Sequence, residues 1–211
     1  MAARETVRGQ WHDLITSQGW LKSSSVRTVW SILSGNGAKV YFVGGCVRDT
    51  IQGLEIQKDF DIATNATPEQ IRKIFKASRI IGKRFKLVHV FNRSELIEVA
   101  TFRSGDDINN DGNLVQDQSG KIIRDNIWGG LEQDSYRRDF TINSLYYCPL
   151  SKKIVGHEDG MKHIHEKKVV SIGDPKKRFA EDPVRCLRAL RLSLIHISEP
   201  TRRYAISYAV F

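Results

Sequence analysis

The apolar positions of this chain change period several times, and each change predicts an element. Val26, Val29, Trp30 and Leu33 recur at helical spacing, with Ser25 in position to cap a helix that Gly35-Asn36-Gly37 would end. Lys39 to Val43 reads as a short strand running into Gly44-Gly45, and Val47 to Gln52 as a short helix stopped by Gly53. Phe60 and Ile62 flank Asp61 in an extended segment. Thr67-Pro68-Glu69 opens a helix whose apolar face is Ile71, Ile74 and Phe75, with Thr67 as cap and Pro68 at the first helical position.

Ile80-Ile81, Leu87 to Phe91 and Leu96 to Phe102 read as strands. Ser104 to Lys121, rich in Asp, Asn and Gly, reads as a long loop. Phe140 to Tyr147 mixes strand and helix signals. His163 and His165 fall in what reads as a short strand. Lys176 to Arg191 reads as one basic helix with Phe179, Val184, Leu187, Ala189 and Leu190 as core candidates. Residues 1–22 carry Trp11 and Trp20 but no assignable period. No internal repeat or low-complexity tract is present.

The chain has 211 residues, 40% of them hydrophobic, enough for one domain with a sizeable core or one domain and part of a second. No apolar run reaches the ~18 residues of a membrane span, and the polar stretch from Met1 to Gln10 lacks the apolar core of a signal peptide. Cys46, Cys148 and Cys186 have no metal-binding or redox spacing. An odd, scattered set points to reduced thiols in a cytoplasmic protein, each packed as a small hydrophobe. The net charge of +9 suits a polyanionic partner, although a merely basic surface would give the same number. His163 and His165 lack further ligands at zinc-binding spacing.

Candidate chemistry begins with Asp59 and Asp61. Two apart in an extended segment, they share a face, and paired carboxylates repel unless a cation lies between them. Magnesium held by carboxylates and substrate phosphates is one solution; a solvated pair at a strand start is the other. Just upstream, Gly44-Gly45 between strand and helix permits close approach of backbone N–H groups to phosphate, and Arg48 offers a charged donor. Glu98 places a charge inside an apolar strand, which requires pairing, a metal or an exposed face.

Together these residues resemble the nucleotidyltransferase family of bacterial poly(A) polymerases and class II tRNA CCA-adding enzymes, over Tyr41 to Arg191. The first motif stands as Gly44-Gly45-Cys46-Val47-Arg48-Asp49 followed by Asp59-Phe60-Asp61. The second stands as Arg137-Arg138-Asp139-Phe140-Thr141-Ile142-Asn143, and the third as Glu181-Asp182-Pro183-Val184-Arg185. The resemblance implies that Asp59 and Asp61 bind metal with Glu98 as a further acidic residue. It implies that Gly44, Gly45 and Arg48 cradle a triphosphate, that Arg138 and Asp139 contact the sugar and phosphates, and that Asp182 and Arg185 read the base. Asp182 and Arg185, three apart on the expected helix, would be neighbours on one face, as would a surface ion pair.

Ile80 to Val90, with basic residues around Phe85, looks like the poly(A) polymerase version of that segment. So do Arg124 to Gly129 and Asn143 to Tyr147. One stretch departs from the pattern: where the family usually has an Asp and paired glycines, this chain has Gly156-His157-Glu158-Asp159-Gly160, of which Gly160 alone fits.

The expected fold is α+β, a nucleotidyltransferase head with a small mixed sheet flanked by helices, followed by the start of an all-helical neck. The expected divisions are an unassigned extension (1–22), the head (23–158), the start of the neck and nucleotide-recognition region (159–191), and residues 192–211. That last stretch resembles a translated transposon-type sequencing adapter, so the natural chain is expected to depart from this one after Arg191. The resemblance implies magnesium as cofactor, ATP as substrate and RNA 3′ ends as partner, with no membrane or DNA partner. CCA addition to tRNA is the competing activity, and an inactive RNA- or nucleotide-binding fragment the competing class.

Overall fold

The computed structural model describes residues 24–54, 60–82, 85–104, 114–116, 122–125 and 127–196. Its organising element is a seven-stranded sheet: β1 (Val40–Val43), β2 (Asp61–Thr64), β3 (Ser78–Ile81), β4 (Leu87–Asn92), β5 (Glu95–Thr101), β8 (Leu145–Cys148) and β9 (Lys153–Gly156). The strand order is β3-β4-β5-β2-β1-β8-β9. Only β2 and β5 pair in parallel, and all other pairs are antiparallel. The sheet is therefore mixed, as expected. A separate antiparallel pair, β6 (Leu114–Gln116) with β7 (Ile122–Asp125), places a strand inside the stretch read as a loop; three residues are too short a run to show a period in sequence.

Strand alternation gives the sheet two unlike faces. One face carries Val40, Phe42, Ile62, Val88, Val90, Ile97, Val99, Leu145, Tyr147 and Ile154, all buried in the main core. Helix α1 (Ser24–Gly35) closes it with Val26, Val29 and Leu33. Helix α2 (Gly45–Ile51) adds Cys46, Val47 and Ile51, and α3 (Pro68–Ile74) adds Ile71. The start of α3 has the expected Thr67 cap and Pro68, with a reciprocal bond from Gln70 added. Thr67 Oγ1 accepts from the Gln70 N–H at 3.3 Å, Gln70 Oε1 accepts from the Thr67 N–H at 2.8 Å, and Pro68 occupies the first turn. Ser25, expected as a cap, instead lies within α1 and donates its hydroxyl to the Asn92 carbonyl at 3.2 Å, tying the helix to the end of β4.

The other face is only partly covered. Val43, Ala63, Phe102 and Tyr146 form a smaller cluster there, with Tyr41, Leu131 and Val155 against it. Its rings meet edge-on, with centroids 6.4 Å apart for Tyr41–Tyr146 and 6.2 Å for Phe102–Tyr146. Helix α4 (Leu131–Arg137) packs near β9, and a 3-10 turn (Thr141–Asn143) leads into β8, resolving the mixed signal there.

The C-terminal region corrects two readings. His163 and His165 belong to a helix, α5 (Gly160–His165). The basic helix is two helices, α6 (Pro175–Glu181) and α7 (Val184–His196), broken at Asp182-Pro183. Proline disfavours helical backbone in the residue before it, and Asp182 is extended at φ −149°, ψ 94°. The break changes which side faces inward: Ala189 is buried and Phe179 partly so, but Val184, Leu187 and Leu190 are exposed, against expectation. The cysteines also differ from one another. Cys46 is buried, Cys148 half-buried and Cys186 exposed, and none is in a disulfide. Gly156, at φ +137°, is held where any Cβ would run into the Ser144 carbonyl, so β9 can close on the turn before β8 only with glycine.

Candidate active site

The partly covered face of the sheet opens into a cavity of about 740 Å³. Alternation decides what enters it. Ile62 goes to the core, so Asp61 and Ala63 take the open face; Ile97 and Val99 go to the core, so Glu98 and Ala100 do the same. The parallel register sets Asp61 directly beside Glu98, and the antiparallel register on its other side sets Asp61 beside Val43. Gly44 follows Val43 at φ +79°, and a Cβ there would stand 3.5 Å from Asp61 Oδ2. Glycine thus leaves that flank of the carboxylate open.

Both carboxylates are exposed within the described structure, and both line the cavity. Glu98 also meets His89, its cross-strand neighbour, with Nε2 3.2 Å from Oε1. The predicted charge in an apolar strand is therefore tolerated by an exposed face and a partner. Asp59 lies outside the described residues. Two adjacent exposed carboxylates facing a polar cavity supply the hard oxygen donors that suit magnesium. Among the described residues no group of three or more His, Cys, Asp and Glu converges on one point.

Arg48 is placed differently from these two. It is buried, donating Nε–H to Asp49 Oδ1 at 2.8 Å and Nη1–H to Asn143 Oδ1 at 2.7 Å. Its guanidinium lies under the glycine turn, 3.6 Å from where a Gly45 Cβ would be. Gly44, Gly45 and Arg48 do not line the cavity, whereas Asp61, Glu98, Arg138, Asp139, Asp182 and Arg185 do.

The second motif is anchored by a residue that sequence reading missed, Asp134. Its side chain is 1% exposed. Oδ2 accepts from the Tyr146 hydroxyl at 2.6 Å and from Arg138 Nη2 at 3.1 Å. Oδ1 accepts from Arg137 Nε at 2.9 Å, from Arg137 Nη2, and from the Arg103 N–H at 3.0 Å. Burial alone would raise the Asp134 pKa. Arg138, Arg137, the tyrosine and the backbone N–H outweigh it and hold the carboxyl well below the usual range. Burial likewise opposes the Arg138 charge, yet Tyr146 and Asp134 hold its pKa above the ordinary guanidinium value. Tyr146, deprived of water beside a carboxylate, is pushed up despite Arg138. The Arg138 guanidinium also lies over the Tyr146 ring, 5.0 Å from its centre. Arg137 and Arg138, three and four residues on, are a local signal for Asp134, but that spacing reads as a surface pair, and its burial is something sequence alone does not carry.

Next along the chain, Asp139 accepts from the Phe140 N–H at 2.9 Å and from Arg188 Nη1 at 3.1 Å. The sequence places Asp182 and Arg185 on one helix, but Asp182 lies in the break between α6 and α7 and Arg185 in the first turn of α7. They stay adjacent because the Arg185 N–H donates to the Asp182 carbonyl at 3.0 Å. They are 5% and 8% exposed, unlike an ordinary surface pair. Arg178, also unforeseen, and Glu181, which opens the third motif, hold this corner together and line the cavity.

The mixed sheet, with its carboxylates on one open face and a basic helical corner beyond it, has the architecture of a nucleotidyltransferase head. Its backbone superposes on the Bacillus stearothermophilus CCA-adding enzyme in complex with CTP with a TM-score of 0.65 at 30% identity, covering 81% of this chain and 38% of that one. The chain belongs to the Poly A polymerase head domain family, which it matches over residues 40–170. It is 46% identical over 161 residues to poly(A) polymerase I of Haemophilus influenzae, covering 75% of this chain and 35% of that protein. It is 35% identical over 159 residues to the CCA-adding enzyme of Bacillus pumilus, covering 75% of this chain and 37% of the enzyme. The chain thus spans about a third of the length of the curated relatives it matches. No described helix is long and apolar enough to cross a membrane.

Proposed function

We propose that this chain is the head (residues 23–158), with the start of the neck (159–191), of a cytoplasmic polynucleotide adenylyltransferase that adds AMP from ATP to RNA 3′ ends without a template. The observation that carries the reading is the side-by-side placement of exposed Asp61 and Glu98 in a cavity that also receives Arg138, Asp139, Asp182 and Arg185. The higher identity to poly(A) polymerases, 46% against 35% for a CCA-adding enzyme, supports adenylate addition over CCA addition.

In the proposed reaction the RNA 3′ oxygen bonds to the α-phosphorus of ATP. The bond from that phosphorus to the bridging oxygen breaks, and pyrophosphate leaves with the electron pair. Asp59 and Asp61, together with Glu98, would hold magnesium, which when bound neutralises charge on the phosphates and the attacking oxygen. Asp61 and Glu98 orient the attacking end, and one of these carboxylates takes the hydroxyl proton. The N–H groups at the Gly44-Gly45 turn approach the triphosphate, with Arg48 beneath them. Arg138, immobilised by Asp134 and Tyr146, presents a fixed guanidinium to the phosphates and sugar. Asp139 accepts from a ribose hydroxyl, and Asp182 and Arg185 meet the adenine edge. A site of this kind acts by positioning and charge placement. RNA and ATP are the partners of this reading, and DNA is not.

The test is primer extension by the protein, offering ATP and CTP separately on a generic RNA and on tRNA lacking its 3′ end. Long tails from ATP on generic RNA, lost in an Asp59→Ala/Asp61→Ala double variant, support the proposal. Addition restricted to CCA on tRNA replaces it with the CCA-adding activity. RNA binding with no extension, indifferent to both substitutions, identifies a binding fragment instead.

A further inference from the structure

Arg178 sits where the base-reading corner meets the sugar-and-phosphate arm, and its contacts go to both. Nη2 donates to the carbonyl of Arg138 at 2.8 Å and to that of Arg137. These are carbonyls at the C-terminal end of α4, where helix carbonyls lack intrahelical partners. Nη1 donates to Glu181 Oε2 at 2.9 Å. That same oxygen accepts from Arg185 Nη1 at 3.0 Å, and Arg185 Nη1 also donates to the Arg178 carbonyl at 2.7 Å. The Asp182 N–H donates to the Arg178 carbonyl at 3.3 Å. One residue thus joins Arg137 and Arg138 on one side to Glu181, Asp182 and Arg185 on the other.

We propose that Arg178 is a specificity-determining positioning residue: it fixes the distance between the arm that holds the nucleotide's sugar and phosphates and the pair that reads its base. The inference rests on the proposed nucleotide-binding role of this cavity. Its physical basis is that the guanidinium is planar and rigid, so bonds from its two ends transmit a fixed separation that a lysine cannot reproduce. The side chain is 15% exposed, and the Glu181 side chain that pairs with it 12%. Both are therefore held by packing as well as by hydrogen bonds. A second tether spans the same joint, Arg188 to Asp139 at 3.1 Å, but the Arg188 side chain is 55% exposed and so far less confined.

Loosening Arg178 leaves the phosphate-binding groups in place and lets the base-reading pair drift. Discrimination among bases falls while affinity for the triphosphate itself does not. A residue serving only to stabilise the fold would weaken both together.

The experiment compares the parent chain with Arg178→Lys and Arg178→Gln. Dissociation constants are measured with magnesium for ATP, CTP, GTP, UTP and inorganic tripolyphosphate. The expected result is a roughly tenfold or larger fall in the preference for ATP over the other nucleotides, the loss expected when buried polar partners are mispositioned, with tripolyphosphate affinity unchanged. Glu181→Gln should produce the same fall, and the double variant no more than either single one, because the two side chains act as one unit. Retention of the parent's preference in Arg178→Gln overturns the proposal. Equal losses for ATP and tripolyphosphate also overturn it, and a lowered urea midpoint would then assign Arg178 a structural role. A parent that binds all four nucleotides alike overturns both this proposal and the base-reading role of Asp182 and Arg185. A parent that prefers ATP but whose preference survives the variants overturns this proposal alone.

Discussion

Asp134 and the Asp61–Glu98 pair are carboxylates within one structural unit, and they have opposite circumstances. Asp134 is buried, accepts from two arginines, a tyrosine and a backbone N–H, and has its charge held on by them. Asp61 and Glu98 are exposed, and the His89 ring nitrogen lies 3.2 Å from Glu98. The difference separates two uses of the same chemistry. A buried carboxylate surrounded by donors organises the protein; exposed carboxylates that line a cavity can also meet something that arrives.

The sharpest way to break this comparison is to remove Asp134. Asp134→Ala strands two guanidiniums and a tyrosine hydroxyl beside a void, and we expect a loss of about 3–5 kcal/mol of unfolding free energy by urea titration. The pH dependence follows from the lowered pKa. The unfolded carboxyl titrates near about 3.9, and the stabilisation by Asp134 is complete above that value. It is lost as pH falls towards the lower folded pKa, so wild type and Asp134→Ala should converge in stability in that acid window. Tyr146→Phe removes a single donor to the same buried charge and should cost about 1.5–3 kcal/mol.

The open pair predicts the reverse pattern. Asp61→Asn should weaken magnesium-dependent ATP binding about tenfold or more, read by calorimetry, while its urea midpoint stays that of the parent. Glu98→Gln should change unfolding free energy by less than about 0.5 kcal/mol, as for an exposed residue outside the core. A large stability loss in either variant would place that carboxylate with Asp134 and dissolve the distinction.

The two sets were not equally legible in the sequence. Asp61 stood out by its spacing from Asp59, and Glu98 by interrupting an apolar strand; both signals are local. The Thr67 cap and Pro68 at the first helical position were legible for the same reason: their chemistry is local. Asp134 was passed over because its local pairing with Arg137 and Arg138 looks like that of any surface helix, while Arg103 and Tyr146 come from elsewhere in the chain and only the fold brings them to it. The split between α6 and α7 is the opposite case. Pro183 marked it, but the basic, helix-like run on both sides outweighed that mark, and the apolar residues Val184, Leu187 and Leu190 were assigned to a core they do not join. Ser25 shows a smaller version of the same limit, since its hydroxyl is used by a strand end far along the chain.

The parallel pairing of β2 with β5 has a kinetic consequence. Parallel neighbours cannot be joined by a hairpin, and here α3, β3 and β4 all intervene between them. Contacts of such long sequence separation are slow to form because loop closure precedes any gain from pairing. The local hairpin of β4 with β5 has no such delay. Asp61 and Glu98 therefore come together only when a non-local register is set, so regain of nucleotide affinity during refolding should lag behind the recovery of helical signal.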